Sequence, residues 1–379
     1  MGNFQSINVD KAANTMTIGG AVRIGNVPHD LHALGKEFPV GMCPTVGISG
    51  FTLGGGVGPL GGFYGTASDN LLSAEVVTGK GEVLTVSAHQ HPDLFYGLRG
   101  AGFNYGVATS LTFRIHPATI HGQVTVINAM FPESLNGSVW KAANSFAGHQ
   151  PKELAILFDV RFDETLGGMG TVGGFVYFGP RDKSLNAVKP FLDLNPLYVE
   201  VEDSNYAEFS SVALYGDVAN TGTQNAINLA PYTLNLYKVK NMVAVINHMN
   251  TTLTQNVDLR GATLTWAQYS TDGSLRYPVE SSAYPYRNVV VYFSIDGFTP
   301  SVAKLPLLDN FGKEIRTLVQ RGSGKPNLET YVHFGYGDEG ADAWYTKAKL
   351  PRLLALKRAY DPDNLFSWYN PVTSVGSAL

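Results

Sequence analysis

The glycine-rich stretch from Gly41 to Gly62, "GMCPTVGISGFTLGGGVGPLGG", constrains the fold more than any other part of the chain. Nine of its 22 residues are glycine, and it holds Cys43, the single cysteine of the protein. Glycine allows the backbone to adopt positive φ angles and to approach a neighbouring segment or a ligand closely. The stretch therefore predicts a backbone loop that either packs tightly or binds something.

Three interpretations of this loop compete. Residues 56–61 fit the dinucleotide pattern G-x-G-x-x-G, but Pro59 and the glycines after it do not favour the helix that this pattern requires. The second interpretation is a structural glycine run, and the third is a cradle of backbone N–H groups for a phosphate-bearing cofactor. Cys43 favours the third, because a thiolate beside such a cradle can form a covalent bond with an electrophilic ring.

Composition excludes several classes of protein. The chain has 379 residues, 44% of them hydrophobic, which is enough for two or three globular domains. Its net charge of −4 argues against a nucleic-acid partner, and no apolar run is long enough to span a membrane. The opening "MGNFQS" formally fits N-myristoylation, but the alternation that follows it indicates a strand. His29 and His32 have no third ligand at a suitable spacing, so we expect no metal site.

Residues 1–117 are predicted to form one α+β unit. We expect a hairpin from "SINVD" and "TMTIGG", a helix over residues 27–37, a second hairpin in "SAEVVTGKGEVLTVS" and a short helix in "HPDLFYGLRGAG". The run "VATSLTFRI" predicts a strand with Val107, Leu111 and Phe113 on one face and Ala108 on the other.

The rest of the chain predicts a second α+β domain, residues 118–335, with an antiparallel sheet that carries helices on one face. We expect residues 336–379 to form a C-terminal segment that returns to the first domain. It contains a leucine-rich helix that ends at Asp361 and Pro362.

Three blocks carry a family resemblance: "CPTVGISGFTLGGGVGPLGGFYGTASDN", "HPDLFYGLRGAGFNYGVATSLTFRIHP" and "RLLALKRAYDPDNLF". They resemble berberine-bridge-enzyme-like oxidases of the vanillyl-alcohol oxidase and p-cresol methylhydroxylase superfamily. The resemblance implies an α+β fold, namely the second half of an FAD-binding domain of the p-cresol-methylhydroxylase type and a substrate domain with a large antiparallel sheet. It also implies FAD as cofactor, bound covalently through Cys43 at C6 of the flavin.

The resemblance implies the residues of the cofactor site. These are Cys43, Thr45, Gly47, Ser49, Gly50, Gly54, Gly55, Gly56, Asn70, Gly106, Val107 and Asn370. In such a site the redox chemistry belongs to the flavin, and the protein supplies position and electrostatic field.

The implied reaction oxidises a small organic substrate, such as an alcohol, a sugar or a secondary metabolite, by hydride transfer to flavin N5 with dioxygen as acceptor. Ser294 falls near the position of a catalytic Glu or Gln in relatives. A serine hydroxyl is a poor base at neutral pH. Tyr292 and Tyr331 are therefore the further candidates to assist substrate deprotonation, if a cation or the flavin lowers the tyrosine pKa.

The chain departs from the family pattern at several positions. Relatives carry an N-terminal subdomain ahead of the strand "SINVD", so the alternative prediction is a flavin-free homologue that acts as a non-catalytic binding protein or has no function. Phe51 and Tyr286 stand where relatives often have histidine. Lys349 stands where they commonly have asparagine, which leaves Asn370 as the C-terminal flavin contact.

Overall fold

The computed structural model describes residues 2–220, 227–234, 238–297, 302–323 and 325–373. Met1 of the formal acylation motif and residues 374–379 of the predicted C-terminal segment lie outside them. Strands up to residue 117 are β1 (Ile7–Asp10), β2 (Thr15–Gly19), β3 (Lys36–Glu37), β4 (Leu71–Thr78), β5 (Val83–Ser87), β6 (Gly106–Arg114) and β7 (His116–Pro117). Helices in the same part are α1 (Val27–Ala33), α2 (Ile48–Leu53), α3 (Gly61–Tyr64) and α4 (Pro92–Ala101).

The first sheet has the strand order β1-β2-β6-β4-β5 and is antiparallel throughout. Both predicted hairpins are confirmed. In the first, the Asp10 carboxylate accepts the backbone N–H groups of Ala12 and Ala13 at 3.0 and 2.8 Å, which closes the turn. In the second, Gly81 takes the positive φ of 78° that the turn requires.

A β-bulge in β6 corrects the predicted alternation. Glu75 pairs with Ser110 but Val76 pairs with Ala108, so Thr109 is an extra residue on β6. The bulge moves the side chains before it to the opposite face. Ala108 is therefore buried together with Leu111, whereas Val107 is exposed, and the prediction that Val107 shares their face was wrong.

The helix predicted over residues 27–37 is shorter than expected, because α1 ends at Ala33. Gly35 has a φ of 67°, which turns the chain out of the helix and into β3. β3 pairs with β7, so the second half of that helix prediction was wrong.

The second sheet has the order β11-β8-β10-β9-β13-β14-β12 and is also antiparallel. Its strands are β8 (Gln123–Pro132), β9 (Leu154–Asp163), β10 (Gly168–Tyr177), β11 (Tyr198–Asn205), β12 (Ile227–Leu234), β13 (Thr263–Tyr269) and β14 (Val291–Gly297). The later helices are α5 (Asn136–Asn144), α6 (Arg181–Ala187), α7 (Lys189–Leu192), α8 (Phe209–Val212), α9 (Val239–Gln255), α10 (Leu305–Ser323), α11 (Ala341–Tyr345) and α12 (Leu350–Tyr360).

The predicted large antiparallel sheet is thus confirmed, as is the closing helix α12. Side chains of α5, α9 and α10 pack in one hydrophobic core with one face of the second sheet, for example Trp140, Ile246 and Phe311 with Phe158. The opposite face turns toward the glycine-rich loop. Sequence reasoning assigned no element to six of these, namely β11, β12, α5, α8, α10 and α11. The boundaries of the predicted domains stay predictions.

A buried ion pair joins the two halves of the structure. Arg287, just before β14, donates to the Asp69 carboxylate at 2.5 Å and to the Ser282 hydroxyl at 2.7 Å. The Asp69 side chain is fully buried and that of Arg287 is 2% exposed. Among the residues that the structure describes, no helix is long and apolar enough to cross a membrane.

Candidate active site

A groove of about 990 Å³ lies between the glycine-rich loop and the free face of the second sheet. We define three walls by the residues that line it. The loop wall consists of Cys43, Thr45, Gly47 and Gly50; the sheet wall of Asp159, Thr265, Tyr292, Ser294 and Asp296; and the C-terminal wall of Tyr331, His333, Trp368 and Tyr369. The groove therefore brings together part of the predicted cofactor site and all three predicted catalytic residues.

The loop wall presents backbone rather than side chains. A Cβ atom added at Gly47 or Gly50 would meet no protein atom within 4 Å, so both glycines border open space. The Cys43 sulfur lies 3.2 Å from the Thr45 hydroxyl, at the half-buried edge of this wall. The hydroxyl oxygen of Ser49, in the first turn of α2, is buried with no hydrogen-bond partner in the described part of the protein.

These features fit a flat cofactor in the groove. Open backbone at two glycines allows a ring to approach the main chain closely. Ser49 does not line the groove, and its role at a cofactor stays a prediction. The residues of the loop wall that would hold the ring are Cys43, Thr45, Gly47 and Gly50.

The glycines at positions 54–56 do not line the groove. A Cβ on Gly54 would lie 2.2 Å from the His333 imidazole, and one on Gly55 would lie 2.7 Å from the Tyr284 ring. Gly55 and Gly56 have φ angles of 122° and 81°. In this structure these glycines allow α2 and the following turn to pack closely, and their cofactor role stays a prediction.

The sheet wall is built by strand alternation. On β14, Val291, Phe293 and Ile295 enter the core with the helices, whereas Tyr292, Ser294 and Asp296 line the groove.

Hydrogen bonds connect the polar side chains of this wall. Thr265 on β13 is the cross-strand partner of Ser294, and their hydroxyl oxygens are 2.9 Å apart. The Thr265 hydroxyl also donates to the Asp296 carboxylate across a longer distance of 3.4 Å.

Burial keeps the two tyrosines that were predicted to be catalytic, Tyr292 and Tyr331, in the protonated form. The hydroxyls of Tyr292 and Tyr284 are 2.7 Å apart, and burial raises the pKa of Tyr292 to about 12. Burial likewise raises the pKa of Tyr331, whose hydroxyl accepts the backbone N–H of Gly56 at 3.1 Å. Both side chains are therefore neutral near pH 7. A tyrosine that acts as a base needs a lowered pKa, and in the protein alone neither Tyr292 nor Tyr331 has one.

His333 on the C-terminal wall was missed by sequence reasoning. Its Nε2–H donates to the backbone carbonyl of Phe51 at 3.0 Å, and burial lowers the pKa of His333 to about 4, so the imidazole is neutral. An imidazole thus lies beside position 51, where the resemblance leads one to expect a histidine side chain.

The remaining predicted cofactor residues lie away from the groove. The Asn70 amide bonds the carbonyls of Tyr64 and Thr66 at 3.0 and 2.9 Å, and the Asn370 amide bonds the carbonyl of Val332 at 2.8 Å. Gly106 and Val107 begin β6, beside β4. Their roles at a cofactor stay predictions.

Lys349, which replaces the asparagine common in relatives, has a structural role. Its ammonium donates to the carbonyls of Val279 and Ser282 at 2.6 and 2.8 Å. Burial lowers the pKa of Lys349 to about 8. The side chain therefore secures the segment that leads to Arg287.

Comparison with known proteins defines the class. Residues 1–87 match the family described as FAD binding domain, and residues 330–373 match the family described as berberine and berberine like. The chain is 35% identical over 367 residues to the FAD-linked oxidoreductase azaL of Aspergillus niger, which covers 94% of this chain and 76% of that protein.

Solved structures agree on the fold. A variant of BBE-like 1 from Physcomitrella patens superposes with a TM-score of 0.83 at 24% identity, over 99% of this chain and 80% of that one. The xylooligosaccharide oxidase of Myceliophthora thermophila, solved in complex with xylobiose, gives 0.81 at 21% identity, over 99% and 81%. The fold is that of FAD-binding proteins of the predicted α+β type.

Fold and loop together define a flavin-dependent oxidoreductase. The chain belongs to the berberine-bridge-enzyme-like family of FAD-linked oxidoreductases, and its cofactor is FAD.

Proposed function

We propose that the protein oxidises a small organic substrate, an alcohol, a sugar or a secondary metabolite, in the groove between the loop wall and the sheet wall. The observation that carries this proposal is the groove itself, which joins the open glycine backbone of Gly47 and Gly50 to the polar side chains of Tyr292 and Ser294. A ligand that rests on the loop wall faces those side chains. The solved structure with xylobiose supports a hydroxylated substrate for that relative.

When bound, FAD would supply the redox chemistry, as acceptor of a hydride at N5 with dioxygen as the final acceptor of the electron pair. The protein then has to hold the ring, orient the substrate and remove a hydroxyl proton. We assign the ring to the loop wall, where the open backbone of Gly47 and Gly50 borders the groove. Ser49, beside Gly50 in α2, would act on the cofactor only through a change in its buried position. Gly54, Gly55, Gly56, Asn70, Gly106, Val107 and Asn370 would act on the cofactor through the backbone that they shape.

We assign substrate binding to Tyr292, Ser294 and Tyr331. Because burial holds both tyrosines in the protonated form, their hydroxyls serve as hydrogen-bond donors and orient the substrate oxygen. Ser294 lies between Tyr292 and Asp296 on the groove face of β14, and its hydroxyl can both donate and accept a hydrogen bond.

The test is spectroscopic. The protein is loaded with FAD, mixed without oxygen with benzyl alcohol or xylobiose, and followed at the visible flavin band. We expect the band to bleach and to return when air is admitted, with release of hydrogen peroxide. A flavin band that neither substrate bleaches contradicts the proposed oxidation.

A covalent bond between Cys43 and the flavin is part of the proposal. If it forms, acid-precipitated wild-type protein keeps its yellow colour, whereas Cys43→Ala releases the flavin to the supernatant. The half-buried position of the thiol on the loop wall supports this expectation. Ser87→Ala, on β5 outside the groove, is the control. Complete recovery of flavin from the wild-type supernatant rules out the bond and leaves non-covalent binding intact.

A further inference from the structure

Asp296 is a groove residue that was not among the site residues expected from the sequence or from the family resemblance. It follows Tyr292 and Ser294 at the same spacing along β14 and therefore shares their face. Its carboxylate lines the groove beside Thr265, and its side chain is half-buried.

The hydroxyl pair beside it connects Asp296 to the substrate position. The carboxylate accepts from the Thr265 hydroxyl at 3.4 Å, and that oxygen lies 2.9 Å from the Ser294 hydroxyl. Hydrogen bonds of this kind are often long before a substrate binds. Three polar side chains from two neighbouring strands thus form one row on the sheet wall.

The tyrosine, serine and histidine side chains of the groove are poor proton acceptors at neutral pH, and the groove holds a second carboxylate, that of Asp159 on β9. Tyr292 and Tyr331 are held in the protonated form, and a serine hydroxyl is not a base there. His333 is neutral, but burial lowers its pKa to about 4. Burial acts oppositely on a carboxyl and raises the pKa of Asp296 to about 6, against the opposing hydrogen bond from Thr265. Asp296 is thus ionised at pH 7 and more basic than an ordinary aspartate.

Several charged or titratable side chains face Asp296 from the surrounding elements. Those that line the groove with it are Asp159 of β9, Tyr269 of β13 and Tyr292 of β14 on the sheet, and Cys43, Tyr331, His333 and Tyr369 across the groove. Arg161, two positions after Asp159 on β9, shares the face of Asp159 by strand alternation.

We propose that Asp296 is the catalytic base of the oxidation, and that it takes the hydroxyl proton directly from the substrate while Thr265 and Ser294 position the carboxylate and the substrate oxygen. The substrate O–H bond breaks and its proton goes to the carboxylate. The carbon-bound hydrogen leaves with its electron pair to the flavin, and a C=O double bond forms. Dioxygen then takes the two electrons and the two protons as hydrogen peroxide. This inference rests on the proposed oxidation.

The test compares Asp296→Asn, Asp296→Glu and the matched control Asp182→Asn, which removes an exposed carboxylate on α6. Each FAD-loaded protein is first checked for its flavin band and melting temperature. The rate of anaerobic bleaching by benzyl alcohol and xylobiose is then measured from pH 5 to 9.

We expect wild type and Asp182→Asn to lose rate as the pH falls through about 6. Asp296→Asn should keep its flavin, bleach roughly 10²–10⁴-fold more slowly at pH 8 and lose this acid limb, and Asp296→Glu should restore part of the rate. If either substrate bleaches wild type, and Asp296→Asn bleaches equally fast with the same pH profile, then Asp296 is not the base and the proposed oxidation still stands. A wild type that neither substrate bleaches contradicts the proposed oxidation instead.

A second measurement does not depend on turnover. In FAD-loaded protein labelled with ¹³C at the aspartate carboxyl carbons, we expect one resonance with a midpoint near pH 6 that is missing from Asp296→Asn. If the resonance missing from Asp296→Asn has its midpoint near pH 4, Asp296 is an ordinary carboxylate and the assignment falls.

Discussion

The loop wall and the sheet wall of the groove are built in opposite ways. The loop wall comes from eight consecutive positions, from Cys43 to Gly50, and presents mainly backbone with open space at two glycines. The sheet wall comes from three strands and presents side chains, among them Thr265, Ser294 and Asp296.

This difference separates two tasks. Open backbone recognises a flat ring by shape and cannot titrate, whereas carboxyl and hydroxyl side chains can hold and move protons. Changes on the loop wall should therefore alter cofactor binding. Changes on the sheet wall should alter the reaction and leave the cofactor in place.

The largest effect is expected where the two regions are joined. Arg287→Met leaves the Asp69 carboxylate buried without its cation, which should lower the free energy of unfolding by about 3–5 kcal/mol. Thermal or urea unfolding measures this. Arg181→Met, which removes the cation of the exposed pair with Asp203, should lower the free energy of unfolding far less, because solvent screens that pair. Equal losses in the two variants would show that the buried pair does not hold the regions together.

A smaller effect is expected from His333, which ties the C-terminal wall to the loop wall. The folded protein keeps its pKa at about 4, while an unfolded histidine titrates near 6.5. Between these pH values the unfolded state therefore binds more protons than the folded state. The contribution of the neutral His333 to the free energy of unfolding is present above pH 6.5 and is lost as the pH falls toward 4. His333→Gln keeps a donor for the Phe51 carbonyl but does not titrate.

As the pH falls from 6.5 to 4, the free energy of unfolding should decrease by about 1–3 kcal/mol less in His333→Gln than in wild type. Urea unfolding at each pH measures this. His89→Gln, in an exposed loop, is the control and should follow wild type. Parallel pH curves for His333→Gln and wild type would refute a buried neutral imidazole.

The smallest effect concerns a side chain of the sheet wall. Tyr292→Phe removes one partner of a buried hydroxyl pair and leaves the Tyr284 hydroxyl unpaired, which should cost about 1–2 kcal/mol. The flavin band of the loaded protein should not change, because the ring rests on the other wall. Tyr198→Phe, at an exposed position, should cost less than about 0.5 kcal/mol. Loss of flavin from Tyr292→Phe would break the proposed division of tasks.

The same contrast explains what could be predicted from the sequence. The residues of the loop wall lie within one short segment of the chain, so a local sequence pattern predicts them. The sheet wall depends on strand register, which brings Asp159, Thr265 and Ser294 side by side from distant parts of the chain. The contact of His333 with the Phe51 carbonyl spans 282 positions and leaves no local signal.

Two particular misses have physical causes. The bulge at Thr109 reverses the face of Val107, and a single extra residue in a strand has no clear signature in the chain. Asp296 did carry a signal, since it continues the alternation of Tyr292 and Ser294 by one more step. The predicted hairpins and the closing helix succeeded because turn residues and apolar spacing are local properties.

The most direct test of the account is whether the flavin rests on the loop wall. Gly50→Leu adds a side chain where a Cβ meets nothing within 4 Å, so the protein should fold and the groove should be filled. Gly137→Leu makes the same change on α5, where a Cβ would have ordinary contacts at 3.8 Å. After incubation with FAD and removal of free cofactor, wild type and Gly137→Leu should be yellow and folded Gly50→Leu colourless. A folded Gly50→Leu with the full flavin band would contradict the account.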